Sequence, residues 1–242
     1  MTFCIGICVE EGLVALADTR IVKGSEILVK SKLSSHAVGP HPYFTMTSGL
    51  RSVRDKVLIY VDEAVVQSNP APSRLYQIAN LIGAQLRRAQ REDGAALASA
   101  QLRFNTFAIL GGQLRDDRQP TLFLIYPEGN WIEANPDSPY FVIGRTFYGS
   151  PFLARHLRRE TALDDAAKWA LMALDLTATS ACDVAFPIDV ALLPRGESAL
   201  RRRRYEQDEL SAVAAAWHAG IARSISGLPA DWIPSGSSQS SR

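Results

Sequence analysis

Three residues near the start of the chain, Thr2, Asp18 and Lys32, have the types needed for hydroxyl nucleophile chemistry. Threonine is small enough that methionine aminopeptidase normally cleaves before it. Loss of Met1 would leave Thr2 with both a hydroxyl and a free α-amine. The amine has a reference pKa near 7.7–8.0, so much of it is an available base at neutral pH. Hydroxyl and amine then form the threonine version of a nucleophile–base pair, suited to attack on a carbonyl. Lys32, kept charged by Asp18, would lower the amine pKa and polarise the hydroxyl. The spacing alone also allows a blander reading, in which Thr2 is a strand residue and Asp18–Lys32 an ordinary ion pair.

Two hairpins must bring these residues together. In the first run Phe3, Ile5, Ile7 and Val9 alternate with Thr2, Cys4, Gly6 and Cys8, as in a strand. Glu10-Glu11-Gly12 is a turn signal, and Leu13–Ala17 is a second apolar run. A turn about Glu10–Glu11 sets Thr19 opposite Thr2, whereas a loop that includes Gly12 sets Arg20 there. Either register leaves Asp18 within a residue or two of Thr2 across the ladder. A second hairpin turning at Lys23-Gly24-Ser25-Glu26 returns Lys32 beside Ala17 and Asp18.

Beyond the hairpins, His41–Met46 reads as a strand leading into Thr47-Ser48-Gly49. The spacing of Val53, Val57, Leu58, Val61 and Val65 predicts a helix to about Gln67. Gly49 therefore sits at a strand-to-helix junction, where free N–H groups favour negative charge, although a glycine there is as often only a turn residue. A second helix is predicted from about Arg74 to Arg91, behind a Ser73 N-cap. Strands follow near Phe104–Leu110, Thr121–Tyr126, Trp131–Ala134 and Tyr140–Ile143. Helices at Ser150–Arg158 and Leu163–Leu176 precede strands at Ile188–Leu193 and Leu200–Tyr205, and a last amphipathic helix spans about Glu209–Ser224. This order suits two packed sheets with helices outside.

Several stretches carry a resemblance. Thr2, Ala17-Asp18-Thr19-Arg20 and Ser31-Lys32-Leu33 resemble the β-subunits of proteasome-type N-terminal-nucleophile hydrolases. The opening Thr2-Phe3-Cys4-Ile5-Gly6-Ile7 is most similar, within that superfamily, to the bacterial Anbu (ancestral β-subunit) proteins. Tyr140–Gly144, Tyr148-Gly149-Ser150-Pro151 and Phe186-Pro187-Ile188-Asp189 agree with the same proteins, and the similarity runs to about residue 225. It implies an α+β fold, a four-layer αββα sandwich of two mainly antiparallel sheets. The expected organisation is one β-subunit-like domain over residues 1–233, with a polar, disordered tail at 234–242.

The implied activity is that of a threonine peptidase or amide hydrolase working through an acyl-enzyme, without metal or organic cofactor. Thr2 is the implied nucleophile, Lys32 and Asp18 tune its amine, Arg20 braces Asp18, and the Gly49 N–H is the oxyanion donor. Asp175 and Ser180 are the implied equivalents of an acid and a serine that support the threonine, although they read equally well as caps of a helix end and its turn. The resemblance further implies peptide or protein substrates and homo-oligomerisation into a ring or open stack. One departure stands out: many proteasome subunits have a serine after the glycine that Gly144 resembles, and here Arg145-Thr146 follow. Two alternatives stay open, an amidase of the same superfamily acting on a small amide, and a catalytically weak assembly subunit.

Composition narrows the field. The chain has 242 residues and a net charge of +1, which suits one domain with a sizeable core and argues against nucleic acid or an anionic membrane as main partner. Cys4 and Cys8 would stand about 13 Å apart along a strand, too far for one disulfide or one metal. The four histidines form no ligand motif. Without a signal-peptide pattern or a long apolar run, the expected location is cytoplasmic. Arg201–Arg204, the densest charge run, reads as a solvated edge strand or a subunit contact.

Overall fold

A computed structural model of the chain describes residues 2–23 and 26–234. The Gly24-Ser25 turn, Met1 and residues 235–242 of the expected tail lie outside the described residues. The described chain divides into two units, Met1–Gln207 and Asp208–Arg242.

Both sheets lie in the first unit. Strand β1 (Phe3–Val9) pairs antiparallel with β2 (Gly12–Asp18), Cys4 opposite Ala17 and Val9 opposite Gly12. Of the two registers open from sequence, this is the one that turns at Glu10–Glu11. On the other side β1 pairs with β10 (Tyr140–Gly144), while β2 pairs with β11 (Ile188–Pro194), which carries β12 (Arg201–Tyr205) at the edge. The second sheet runs β5-β6-β7-β8-β9, built from Leu33–Val38, His41–Ser48, Phe107–Gly112, Thr121–Ile125 and Trp131–Glu133. A separate ribbon pairs β3 (Arg20–Lys23) with β4 (Glu26–Val29).

The layers follow from which faces are apolar. Cys4, Cys8, Leu13 and Ala15 meet Phe44, Met46, Ile109 and Leu122 between the sheets. Outside the first sheet lie α3 (Ser150–His156) and α4 (Leu163–Ala178), with α4 packed on β1 and β2. Outside the second lie α1 (Arg51–Gln67) and α2 (Leu75–Ser99), whose Val53, Val57, Ile78 and Ile82 pack against Ala108, Leu110 and Phe123. The result is the αββα sandwich. Strand β1 is consequently buried on both faces, which explains a run with no polar side chain between Phe3 and Val9.

Helix α2 extends eight residues past the predicted end at Arg91. Its apolar periodicity fades there, but charge takes over: Lys56 on α1 bonds Glu92 at 2.7 Å and Asp93 at 2.9 Å. Arg88 adds an i,i+4 pair to Glu92. Hydrogen bonds from Lys56 and Arg88 hold the Glu92 carboxyl down at about 2.

The arginine run is an edge strand, and each side chain on it has a local role. Arg202 and Arg204 reach Asp189 of β11 at 3.2 and 2.9 Å, Arg201 pairs with Glu197, and Arg203 lies over the Tyr205 ring. Asp189 is 2 % exposed and also accepts from Ser31 Oγ at 2.6 Å. Burial works to raise its carboxyl, yet the bonds from Arg204 and Ser31 and the charge of Arg202 hold it below the usual value. A depressed folded-state value means that this carboxylate adds stability above the unfolded value of about 3.9, and that the contribution is lost as pH falls through the folded value. Asp189→Asn should therefore lower the melting temperature at neutral pH and flatten its fall below about pH 4. Thermal unfolding across the acid range measures this, and an unchanged acid limb would assign the sensitivity elsewhere.

The second unit holds α5 (Ser211–Ser226), two residues later at each end than predicted. Among the described residues no helix is long and apolar enough to cross a membrane.

Candidate active site

The site forms where β1 begins, β2 ends and the link between β4 and β5 passes. Thr2 precedes β1, Asp18 closes β2, and Lys32 lies immediately before β5. All three are nearly buried, at 5 %, 0 % and 6 % exposure. Thr2 Oγ1 donates to Asp18 Oδ1 at 2.9 Å, and Lys32 Nζ donates to the same oxygen at 2.6 Å. The Phe3 N–H adds a third donor at 2.8 Å. Asp18 Oδ2 accepts from the Arg20 N–H at 3.2 Å, and the Arg20 carbonyl accepts from Lys32 Nζ at 2.7 Å. Burial pushes the Asp18 carboxyl above its ordinary value and Lys32 pulls it back. With only donors around it, the carboxylate is the form that the geometry accommodates.

Arg20 thus reaches Asp18 through its main chain. Its guanidinium turns the other way and donates to the Cys182 carbonyl at 2.8 Å. Thr19 fixes the same corner, its hydroxyl donating to the Pro187 carbonyl at 2.6 Å.

Thr2 is held from the other flank by β10. The Arg145 N–H donates to the Thr2 carbonyl at 2.7 Å. This approach requires glycine at 144, which has φ +92° and whose added β-carbon would lie 1.9 Å from the Thr2 oxygen. Gly144→Ala should cost about 1–3 kcal/mol from backbone conformation alone and push Thr2 out of position. Chemical denaturation reads the stability; a variant as stable as the parent would show that the contact yields.

The Arg145 guanidinium grips Asp183 through Nε at 3.1 Å and Nη2 at 2.9 Å. Burial acts to raise the Asp183 carboxyl, but the Arg145 hydrogen bond holds it below the usual value. Asp175 and Ser180 are the supports of the threonine that the resemblance implies, with helix and turn capping the equal alternative. Asp175 lies in α4, where its carbonyl accepts from Thr179. Ser180 is exposed in the turn beyond α4, its N–H on the Thr177 carbonyl. Asp183, farther along that turn, is the acid tied to the residue that holds Thr2. The available signal was Arg145 itself, a cation beside the start of β1 that needs a carboxylate partner.

Gly49 follows β6 with φ +107°, and a β-carbon there would come within 2.8 Å of the Asn105 carbonyl. It is two residues past Thr47, whose N–H donates to the Lys32 carbonyl at 3.3 Å, so the junction approaches the same end of the sandwich.

Cys4 Sγ lies 3.8 Å from Thr2 Oγ1. Burial pushes this thiol up to about 12, against the pull of Lys32, so it stays protonated and does not compete as a nucleophile. Among the described residues no group of three or more His, Cys, Asp or Glu could hold a metal ion.

Two facing antiparallel sheets between helix layers, with a threonine leading into a central strand, define a proteasome-type N-terminal-nucleophile fold. Solved structures narrow this further. The chain is 31 % identical to the Gly-1 mutant of Anbu from Hyphomicrobium sp. strain MC1, with a TM-score of 0.86 over 95 % of this chain and 98 % of that one. It is 27 % identical to Anbu from Yersinia bercovieri, TM-score 0.85, covering 94 % and 97 % of the two chains. The helical assembly of the Anbu complex from Pseudomonas aeruginosa is also 27 % identical, TM-score 0.85, covering 98 % and 99 %. No family model and no curated protein matches the sequence. The chain belongs to the Anbu (ancestral β-subunit) family.

Proposed function

We propose that the chain is a threonine-type amide hydrolase, acting on peptides, with Thr2 as nucleophile once Met1 is removed. The observation that carries this reading is the shared oxygen: Asp18 Oδ1 accepts from both Thr2 Oγ1 and Lys32 Nζ inside a buried cluster. An inert surface pair has no need of burial or of a hydroxyl on the same atom. Thr2 Oγ attacks the substrate carbonyl while its proton passes to the Thr2 amine, directly or through a water. The tetrahedral oxyanion accepts from the Gly49 N–H, and collapse releases the amine, which takes the proton. Water then hydrolyses the ester by the same groups in reverse. While Met1 is attached, the Thr2 nitrogen is an amide and no base exists.

The chain is further proposed to form a homo-oligomer in the cytoplasm. The helical assembly of the Pseudomonas protein supports the homo-oligomer, as do the exposed Ile27, Leu28 and Val29 of β4. A second reading, a weakly catalytic assembly subunit, is favoured by Arg145, which stands where many proteasome subunits have serine.

Intact mass before and after a peptide epoxyketone tests the proposal, because the probe needs a free amine and an adjacent hydroxyl. Loss of Met1 and gain of one adduct is expected. Retention of Met1, or its loss without an adduct, would favour the assembly reading.

A further inference from the structure

A cavity lies at the opposite end of the sandwich. Cys8 is six residues along β1 from Thr2, about 20 Å at 3.3 Å per residue. There a cavity of about 400 Å³ opens between the sheets, within the range of ligand pockets. Its charged lining is Arg159 and Arg195 with Glu10, Glu133 and Glu160.

In the lining, Arg159 is fixed and incompletely used. Arg159 is held at both ends: its carbonyl accepts from the Glu10 N–H at 2.9 Å, and Nη1 donates to the Cys8 carbonyl at 2.8 Å and lies 2.7 Å from Cys8 Sγ. No carboxylate pairs with this half-buried guanidinium among the described residues, and its remaining donors are available to a ligand. A placed guanidinium with free donors suits a carboxylate.

The lining also carries negative charge: Glu10, Glu133 and Glu160 are exposed in it, as is Arg195, and Glu133 has no cation bonded to it among the described residues. Asp117 adds a second negative charge acting on Glu133, which favours a cation there. Three lining carboxylates repel a dianion such as phosphate, and Arg159 and Arg195 repel a simple cation. Gln119 and Asn135 add carboxamides, which both donate to and accept from an amide.

We infer that this cavity binds a short peptide with both termini free, its α-carboxylate on Arg159 and its α-ammonium on Glu133 and Glu10. The inference does not depend on Thr2 being a nucleophile.

Calorimetric titration of the full chain with L-alanyl-L-alanine tests it, run in parallel in wild type and Thr2→Ala so that turnover of the probe cannot intrude. Saturable binding is expected in both. Blocking either terminus, as N-acetyl-alanyl-alanine or alanyl-alanine amide, should weaken it by about tenfold or more. Glu133→Gln, which removes only a charge, should weaken it by roughly five- to tenfold, and Arg159→Gln by more. Absence of saturable binding, equal binding of the blocked peptides or of inorganic phosphate, or binding untouched by both substitutions overturns the inference. Failure of the epoxyketone adduct at Thr2 would leave this result standing, so the two proposals fail separately.

Discussion

Thr2→Ala should eliminate epoxyketone adduct formation and reduce peptide turnover by at least about 10³-fold, with the fold intact. The two effects separate cleanly because of what the Thr2 side chain touches. Its hydroxyl donates to Asp18 and otherwise meets only the weak partner Cys4 Sγ among the described residues, and the other donors on that carboxylate come from Lys32, Phe3 and Arg20. Removing it costs about 1–2 kcal/mol at most, within the stability of an ordinary domain. The carbonyl contact with Arg145 is main-chain and survives. Far-ultraviolet circular dichroism and a melting curve verify the fold, and intact mass reads the adduct. Unchanged turnover in a folded Thr2→Ala chain would remove Thr2 from the mechanism.

Lys32→Ala should have the larger effect on stability, about 3–5 kcal/mol, because it leaves the Asp18 carboxylate buried without its cation. Asp18 has 0 % exposure, so water cannot replace the lost partner without opening the site. The Arg20 carbonyl loses its donor as well. If the chain still folds, adduct formation should slow by about 10²–10³-fold, because the charge that tunes the Thr2 amine is gone. Lys32→Met separates the two roles: it restores packing without charge, so a stability gain over alanine with no recovery of rate assigns the rate effect to electrostatics. Denaturant unfolding and a single-turnover labelling rate measure both. A Lys32→Ala chain as stable as wild type would show that Asp18 takes up a proton instead.

Much of this was legible in the chain because the signals were local. The apolar alternation of β1 and β2 and the short turn between them leave few registers, and any of them brings Asp18 near Thr2. The periodicity of Val53, Val57 and Val61 specified α1, since its buried face is written every three to four residues. Where stability came from partners distant in sequence, local reading fell short. The last turns of α2 depend on Lys56, thirty-odd positions earlier, and nothing inside residues 92–99 announces it. β12 reads as four consecutive arginines until Asp189 explains two of them.

The site divides along the same line. By itself the sequence determined that Thr2, Asp18 and Lys32 converge, because two hairpins suffice to bring them together and hairpin register is a local property. Only the tertiary structure decided the other flank. There β10, more than a hundred residues away, pairs with β1 and brings the Arg145 N–H onto the Thr2 carbonyl. Arg145 and Asp183 are 38 positions apart and meet through sheet pairing and the turn beyond α4. The pairing of strands distant in sequence is decided by how whole faces bury, which no local spacing encodes.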